Sequence, residues 1–115
     1  MQSTQITLHN IRRSPVLSAR IRELSERLEN HHSEIVHCRV SVTQEANGSR
    51  KGRLFTIAVR VRVPGRELLA SRQNEDVYVA LREAFDAMRR QLADAAQAAK
   101  AAQRPHPTPI AEVQS

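Results

Sequence analysis

Residues 53–63 read Arg53-Leu54-Phe55-Thr56-Ile57-Ala58-Val59-Arg60-Val61-Arg62-Val63, and the alternation across them decides the architecture. Phe55, Ile57, Val59, Val61 and Val63 fall on one side of an extended chain, and Thr56, Arg60 and Arg62 on the other. Successive side chains of a strand point to opposite faces, so this segment is a strand with one apolar and one wetted face. Upstream, Ile35 to Gln44 repeats the pattern: Val36, Cys38, Val40 and Val42 share one side, and His37, Arg39, Ser41 and Thr43 the other. Between the two strands, Ala46-Asn47-Gly48-Ser49 is a hairpin turn signal flanked by Glu45, Arg50 and Lys51. Downstream, Pro64-Gly65 turns the chain into a shorter strand over Arg66 to Arg72. Strands that keep one common wet face need other elements to cover the opposite one.

Those covering elements lie further out on both sides. Asn74 to Ala102 reads NEDVYVALREAFDAMRRQLADAAQAAKAA, with Val77, Leu81, Ala84, Phe85, Met88, Leu92, Ala95, Ala96 and Ala99 at helical spacing. At about 100° per residue they form one apolar stripe roughly 120° wide. Asn74 is placed to cap the first turn, and Glu75 and Asp76 suit the positive end of the helix dipole. Arg82, Arg89 and Lys100 fall within about 20° of one another on one flank of the stripe. Toward the N-terminus, Ser14-Pro15 is a cap followed by a first-turn proline. The helix it opens runs to about Glu29 with Leu17, Ile21, Leu24 and Leu28 on one stripe, and Arg20 and Arg27 share a flank. A short strand from Gln2 to His9 precedes it, with Ile6 and Leu8 alternating with Gln5 and Thr7.

The expected fold is therefore α+β, a two-layer sandwich in the order β-α-β-β-β-α, with two helices packed on one face of a four-stranded sheet. Residues 1–102 form one domain. Residues 103–115 carry three prolines and no periodicity, and read as a disordered tail.

Charge narrows the partners. There are 18 basic residues against 12 acidic ones, a formal net charge of +6, and all but Lys51 and Lys100 of the basic residues are arginine. Arginine keeps its charge and offers a fork of donors, a balance that favours phosphate-bearing partners. The single cysteine, Cys38, makes no internal disulfide and fits a reducing compartment. No apolar run reaches the roughly 18 residues a membrane span needs, and the N-terminus lacks a signal-peptide pattern, so a cytoplasmic protein with no membrane partner is expected.

Three features refine this. Asp76-x-Tyr78-x-Ala80 opens the second helix, Arg90-Gln91-Leu92 begins twelve residues after Tyr78, and the first helix closes on Arg27-Leu28. Together with the element order across residues 1 to about 98, they make the chain similar to the ribosome hibernation promoting factors and ribosome-associated translation inhibitors of bacteria, also called sigma-modulation proteins. The chain resembles their short form, without an extra C-terminal domain. The resemblance implies that the partner is the small ribosomal subunit and its rRNA, bound in the decoding region, and that the effect is silencing of translation under stress. It departs from the family at Arg82, where an acidic residue is usual, and at Ala87 and Asp94, where lysines are usual one turn either side of Arg90.

Candidate RNA-binding residues are thus Arg20, Arg27, Arg82, Arg89, Arg90 and Lys100 on the helices. Arg90 is bracketed by Asp86 and Asp94 at the four-residue spacing of helix ion pairs. Arg39, Arg60 and Arg62, on the wet face of the sheet, form a possible secondary RNA surface whose plainer reading is a solvated face that discourages aggregation. A double-stranded-RNA-binding domain shares part of this topology, but Glu75 and Asp76 occupy the helix start where such a domain would meet phosphate.

His31, His32, His37 and Cys38 invite a zinc site, yet His37 and Cys38 are adjacent on a strand and point to opposite faces. Neither a metal, a cofactor nor a small-molecule substrate is expected, and no nucleophile–base pair or phosphate loop suggests an enzyme. The alternative function is a small interaction or dimerisation module using the exposed sheet face or the Ala-rich helix end from Ala93 to Ala102. On either reading the chain is a monomer or a weak dimer.

Overall fold

A computed structural model describes residues 4–46 and 53–103. The elements run β1 (Thr4–His9), α1 (Pro15–His31), β2 (His37–Ala46), β3 (Arg53–Val63), β4 (Arg66–Asn74) and α2 (Val77–Gln103). The four strands form one sheet in the order β1-β2-β3-β4. β1 is parallel to β2, with α1 as the crossover between them, and the remaining pairs are antiparallel. This is the expected α+β sandwich. Asn47-Gly48-Ser49 and the proline-rich tail lie outside the described residues, although α2 itself reaches Gln103.

The apolar stripes meet as the alternation requires. Cys38, Val40 and Val42 of β2, Ile57, Val59, Val61 and Val63 of β3, and Leu68 and Ala70 of β4 are all buried beneath the helices. Against them lie Leu17, Ile21 and Leu28 of α1 and Ala80, Leu81, Ala84, Phe85, Met88 and Leu92 of α2. Pro64-Gly65 closes a two-residue turn between the paired Val63 and Arg66, and Gly65 has φ +86°, the left-handed backbone that a second turn position of this kind demands.

The structure corrects four details. The cap of α2 is Asp76, not Asn74: Asp76 Oδ1 accepts from the Tyr78 amide at 2.9 Å, and the Asn74 side chain accepts from the Asp76 amide instead. Asn74 is still paired to Phe55 in the sheet, so the helix has to start beyond it. Val36 is exposed rather than inward, because β2 begins at His37 and it is Ile35 that packs partly against the core. On α1, Ser25 takes a core position and Leu24 is only half-buried. Serine's small side chain lets the helix sit close to β2, with Ser25 Oγ 4.0 Å from Cys38 Sγ. The apolar stripe of α2 also ends earlier than expected, since Ala99 is exposed.

Cys38 is fully enclosed, and burial pushes its thiol from 9.0 up to about 11. The consequence for stability has a definite sign. Above about pH 9 the unfolded chain releases the thiol proton while the folded chain retains it, so alkali favours unfolding at up to about 1.4 kcal/mol per pH unit. Urea denaturation at about pH 8 and about pH 10 is expected to show this loss, and Cys38→Ala is expected to flatten that part of the slope.

Candidate nucleic-acid interface

Both helices lie on the same face of the sheet and run back against β1 and β4, so their flanks border a common groove. It encloses about 330 Å³, with Leu24 and Leu28 of α1 and Phe85 of α2 as its apolar lining. Arg27, His31 and His32 stand on one side and Asp86 and Arg89 on the other. One arginine from each helix therefore lines the same groove. Such a pair can grip an anionic backbone by charge-assisted hydrogen bonds, fixing position without reading bases.

The remaining sequence candidates are distributed around this groove. Arg20 reaches it indirectly: Arg20 Nη1 donates to Glu23 Oε1 at 2.6 Å, and Arg27 Nη2 donates to Glu23 Oε2 at 3.2 Å. The hydrogen bond from Arg20, then its charge and that of Arg27, hold the Glu23 carboxyl below its ordinary pKa. Arg82 is exposed two turns before Arg89 on the same flank. Lys100 is exposed in the last turn, about 16 Å beyond Arg89 at 1.5 Å per residue. Arg90 lies about 100° further round the helix, on its solvent back. Its expected ion pairs are not formed: Asp86 pairs instead with Arg89 at 3.4 Å, and among the described residues Arg90 has no acidic partner. The three-residue spacing wins because Asp86 and Arg89 both line the groove, whereas Arg90 points away from it.

Sequence reasoning missed part of this site. His31 and His32 line the groove, and His31 Nδ1 donates to the Arg27 carbonyl at 2.8 Å, closing the helix end and orienting the ring. The missing signal was the spacing Leu24, Leu28, His31 on α1, which marks the side that meets α2. His37 and Cys38 do lie on opposite faces of β2, and no group of three or more potential metal ligands gathers among the described residues.

The motif in α2 is explained largely by the fold. Asp76 caps the helix, Ala80 and Leu92 are fully buried, and Gln91 Nε2 donates at 2.7 Å to the Leu69 carbonyl on the edge strand β4. That contact both ties α2 down and occupies an edge acceptor that would otherwise invite another strand. Tyr78 is 44% exposed at the helix start.

Glu23 and Asp86 partly neutralise the cations they touch, and this is testable. Glu23→Gln is expected to strengthen binding of a polyanion in the groove about two- to fivefold at low salt, the size of one exposed ion pair. Filter binding with wild type and variant checks it, and an unchanged affinity would take Arg20 and Arg27 out of the interface.

Comparison with known proteins agrees with this architecture. No curated protein matches the chain. Among solved structures, it is similar to a ribosomal subunit interface protein from Coxiella burnetii, with 20% identity and a TM-score of 0.63, covering 82% of this chain and 97% of that one. It is also similar to the N-terminal domain of Protein Y from Thermus thermophilus, with 16% identity and a TM-score of 0.62, covering 80% and 96%. At such identities the likeness speaks for the fold. Residues 4–100 match the family described as sigma 54 modulation protein / S30EA ribosomal protein, and the chain belongs to that family.

Proposed function

We propose that this protein binds ribosomal RNA at the decoding region of the small subunit and silences translation under stress by occupying that site. The observation that carries the proposal is the convergence of Arg27 and Arg89 on one groove between two helices, in a chain that belongs to a family of ribosomal proteins. Arg20, Arg82, Arg90 and Lys100 extend the positive surface beyond the groove. The action is occupancy, not catalysis: it requires no cofactor and no small-molecule substrate. Its place of action is the cytoplasm, where ribosomes work; among the described residues no helix is long and apolar enough to cross a membrane.

Chemical footprinting of small-subunit rRNA, run beside cell-free translation, tests the proposal. Protection is expected to cluster in the decoding region and to be lost when tRNA is supplied in excess, with translation falling as protein is added. Protection elsewhere, or inhibition without any protection, would contradict it.

A second reading has one observation in its favour. Ala95, Ala96, Ala98 and Ala99 face Val63, Pro64 and Arg66 across an open cleft of about 580 Å³, which suits self-association through the Ala-rich end. A dimer seen by analytical ultracentrifugation that persists at high salt would favour this reading over RNA binding.

A further inference from the structure

The open face of the sheet holds an arrangement that the helix groove does not use. Strand register places Gln5, Arg39, Arg60 and Leu69 in one row across the four strands, and Thr7, Ser41, Ala58 and Ser71 in the next. Arg39 and Arg60 are thus directly opposed on antiparallel strands, where like charges destabilise the pairing. Arg60 has partial relief from Glu67, 3.8 Å away and solvent-exposed. Arg39 has none among the described residues, being exposed and within 4 Å of no carboxylate.

Beside this pair the row of small side chains leaves a shallow dent of about 140 Å³, lined by Thr7, His9, Arg39, Ser41, Ala58 and Arg60. Arg39 and Arg60 line the dent together with Thr7 and Ser41, and guanidinium and hydroxyl groups are the kinds of donor a tetrahedral oxyanion accepts. Arg62 continues the charge two residues along β3, opposite His37, while Glu45 and Glu67 are the acidic residues among the described residues of this face. Among the described residues of this face the only aromatic rings are the imidazoles of His9 and His37, with no Phe, Tyr or Trp to form a stacking platform, so the arginine charge makes phosphate the principal contact.

We propose that the dent between Arg39, Arg60, Thr7 and Ser41 binds a backbone phosphate of single-stranded RNA. Lying across the sandwich from the helix groove, it makes the protein bivalent, able to hold two RNA segments at once. The opposed arginines are then kept at some cost to the sheet because a bound anion neutralises both.

The test is an NMR titration of the full ¹⁵N-labelled chain with a short oligouridylate. Amide shifts are expected at Thr7, Ser41 and Ala58 in the wild type and also in Arg27→Glu with Arg89→Glu, which leaves this face intact. That background separates the two sites: loss of the groove does not silence the dent. Arg39→Gln is expected to abolish the shifts, reduce the log–log salt slope of binding by about 0.7, the value for one single-strand phosphate, and leave the melting temperature unchanged or raised. Ala58→Ile fills the dent without altering charge, suits a strand, and is expected to abolish the same shifts. The proposal is overturned if these amides do not move in the wild type, or if Arg39→Gln lowers the melting temperature while the salt slope stays. It is overturned equally if inorganic phosphate at the same phosphate concentration gives the full effect, since the RNA chain would then contribute nothing.

Discussion

Arg27→Glu combined with Arg89→Glu is expected to abolish ribosome association and to relieve inhibition of cell-free translation. Both side chains line the interhelical groove, and both are exposed, so reversing them leaves the apolar stripes of α1 and α2 untouched. A charge-assisted hydrogen bond contributes about 1.5–3 kcal/mol, so losing two weakens binding by roughly two to four orders of magnitude before repulsion is added. Arg60→Glu with Arg62→Glu is the matched control on the open sheet face. It is expected to weaken association by about tenfold or less, because charges one sandwich thickness from the groove are screened over a Debye length of about 8 Å and at most a single secondary contact is lost. Equilibrium binding and translation assays on both pairs check this. If the sheet pair is the more damaging, the main RNA surface is the open face and the groove is secondary.

The largest expected effect on stability is from Leu92→Ala. Leu92 is fully buried where α2 crosses the sheet, one residue after the Gln91 contact to β4. Truncating a buried leucine costs about 2–5 kcal/mol, through lost transfer energy and the cavity left behind. For a domain of this size that lowers the melting temperature by roughly 10–30 °C. Thermal denaturation followed by circular dichroism measures it. A drop of only a few degrees would show that α2 is not anchored through this position.

The alternation in residues 53–63 predicts a strand with one wet and one apolar face, and the helical spacing of residues 14–29 and 74–102 predicts the two helices that cover the apolar one. Element ends were harder to place. Asn74 and Asp76 are both competent caps, and only the pairing of Asn74 with Phe55 in the sheet determines which of them serves. Val36 continues the alternation of β2 on paper, but its strand starts one residue later and Ile35 packs in its stead. Strand order and the parallel pairing of β1 with β2 are tertiary facts that no local pattern encodes.

The candidate interface divides in the same way. Angular arithmetic on each helix separately identified the basic flanks carrying Arg20, Arg27, Arg82, Arg89 and Lys100. That Arg27 and Arg89 meet in one groove depends on how the helices register against each other, which follows from packing on the sheet. The same register explains why Asp86 turns to Arg89 and leaves Arg90 facing solvent. Part of the motif that signals the family, namely Asp76, Ala80, Gln91 and Leu92, caps, fills and anchors α2, so its spacing reports the fold more directly than the interface.

Arginine on the helix flanks is proposed to hold this protein to ribosomal RNA, and such an electrostatic hold weakens with salt. Co-sedimentation with purified small subunits through sucrose gradients, at about 50 mM and about 200 mM monovalent salt, measures the affinity at each. Neutralising about five phosphates predicts a log–log slope near −3 to −5, a fall of roughly 60- to 1,000-fold across that range. Association that is equally strong at both concentrations would contradict the account.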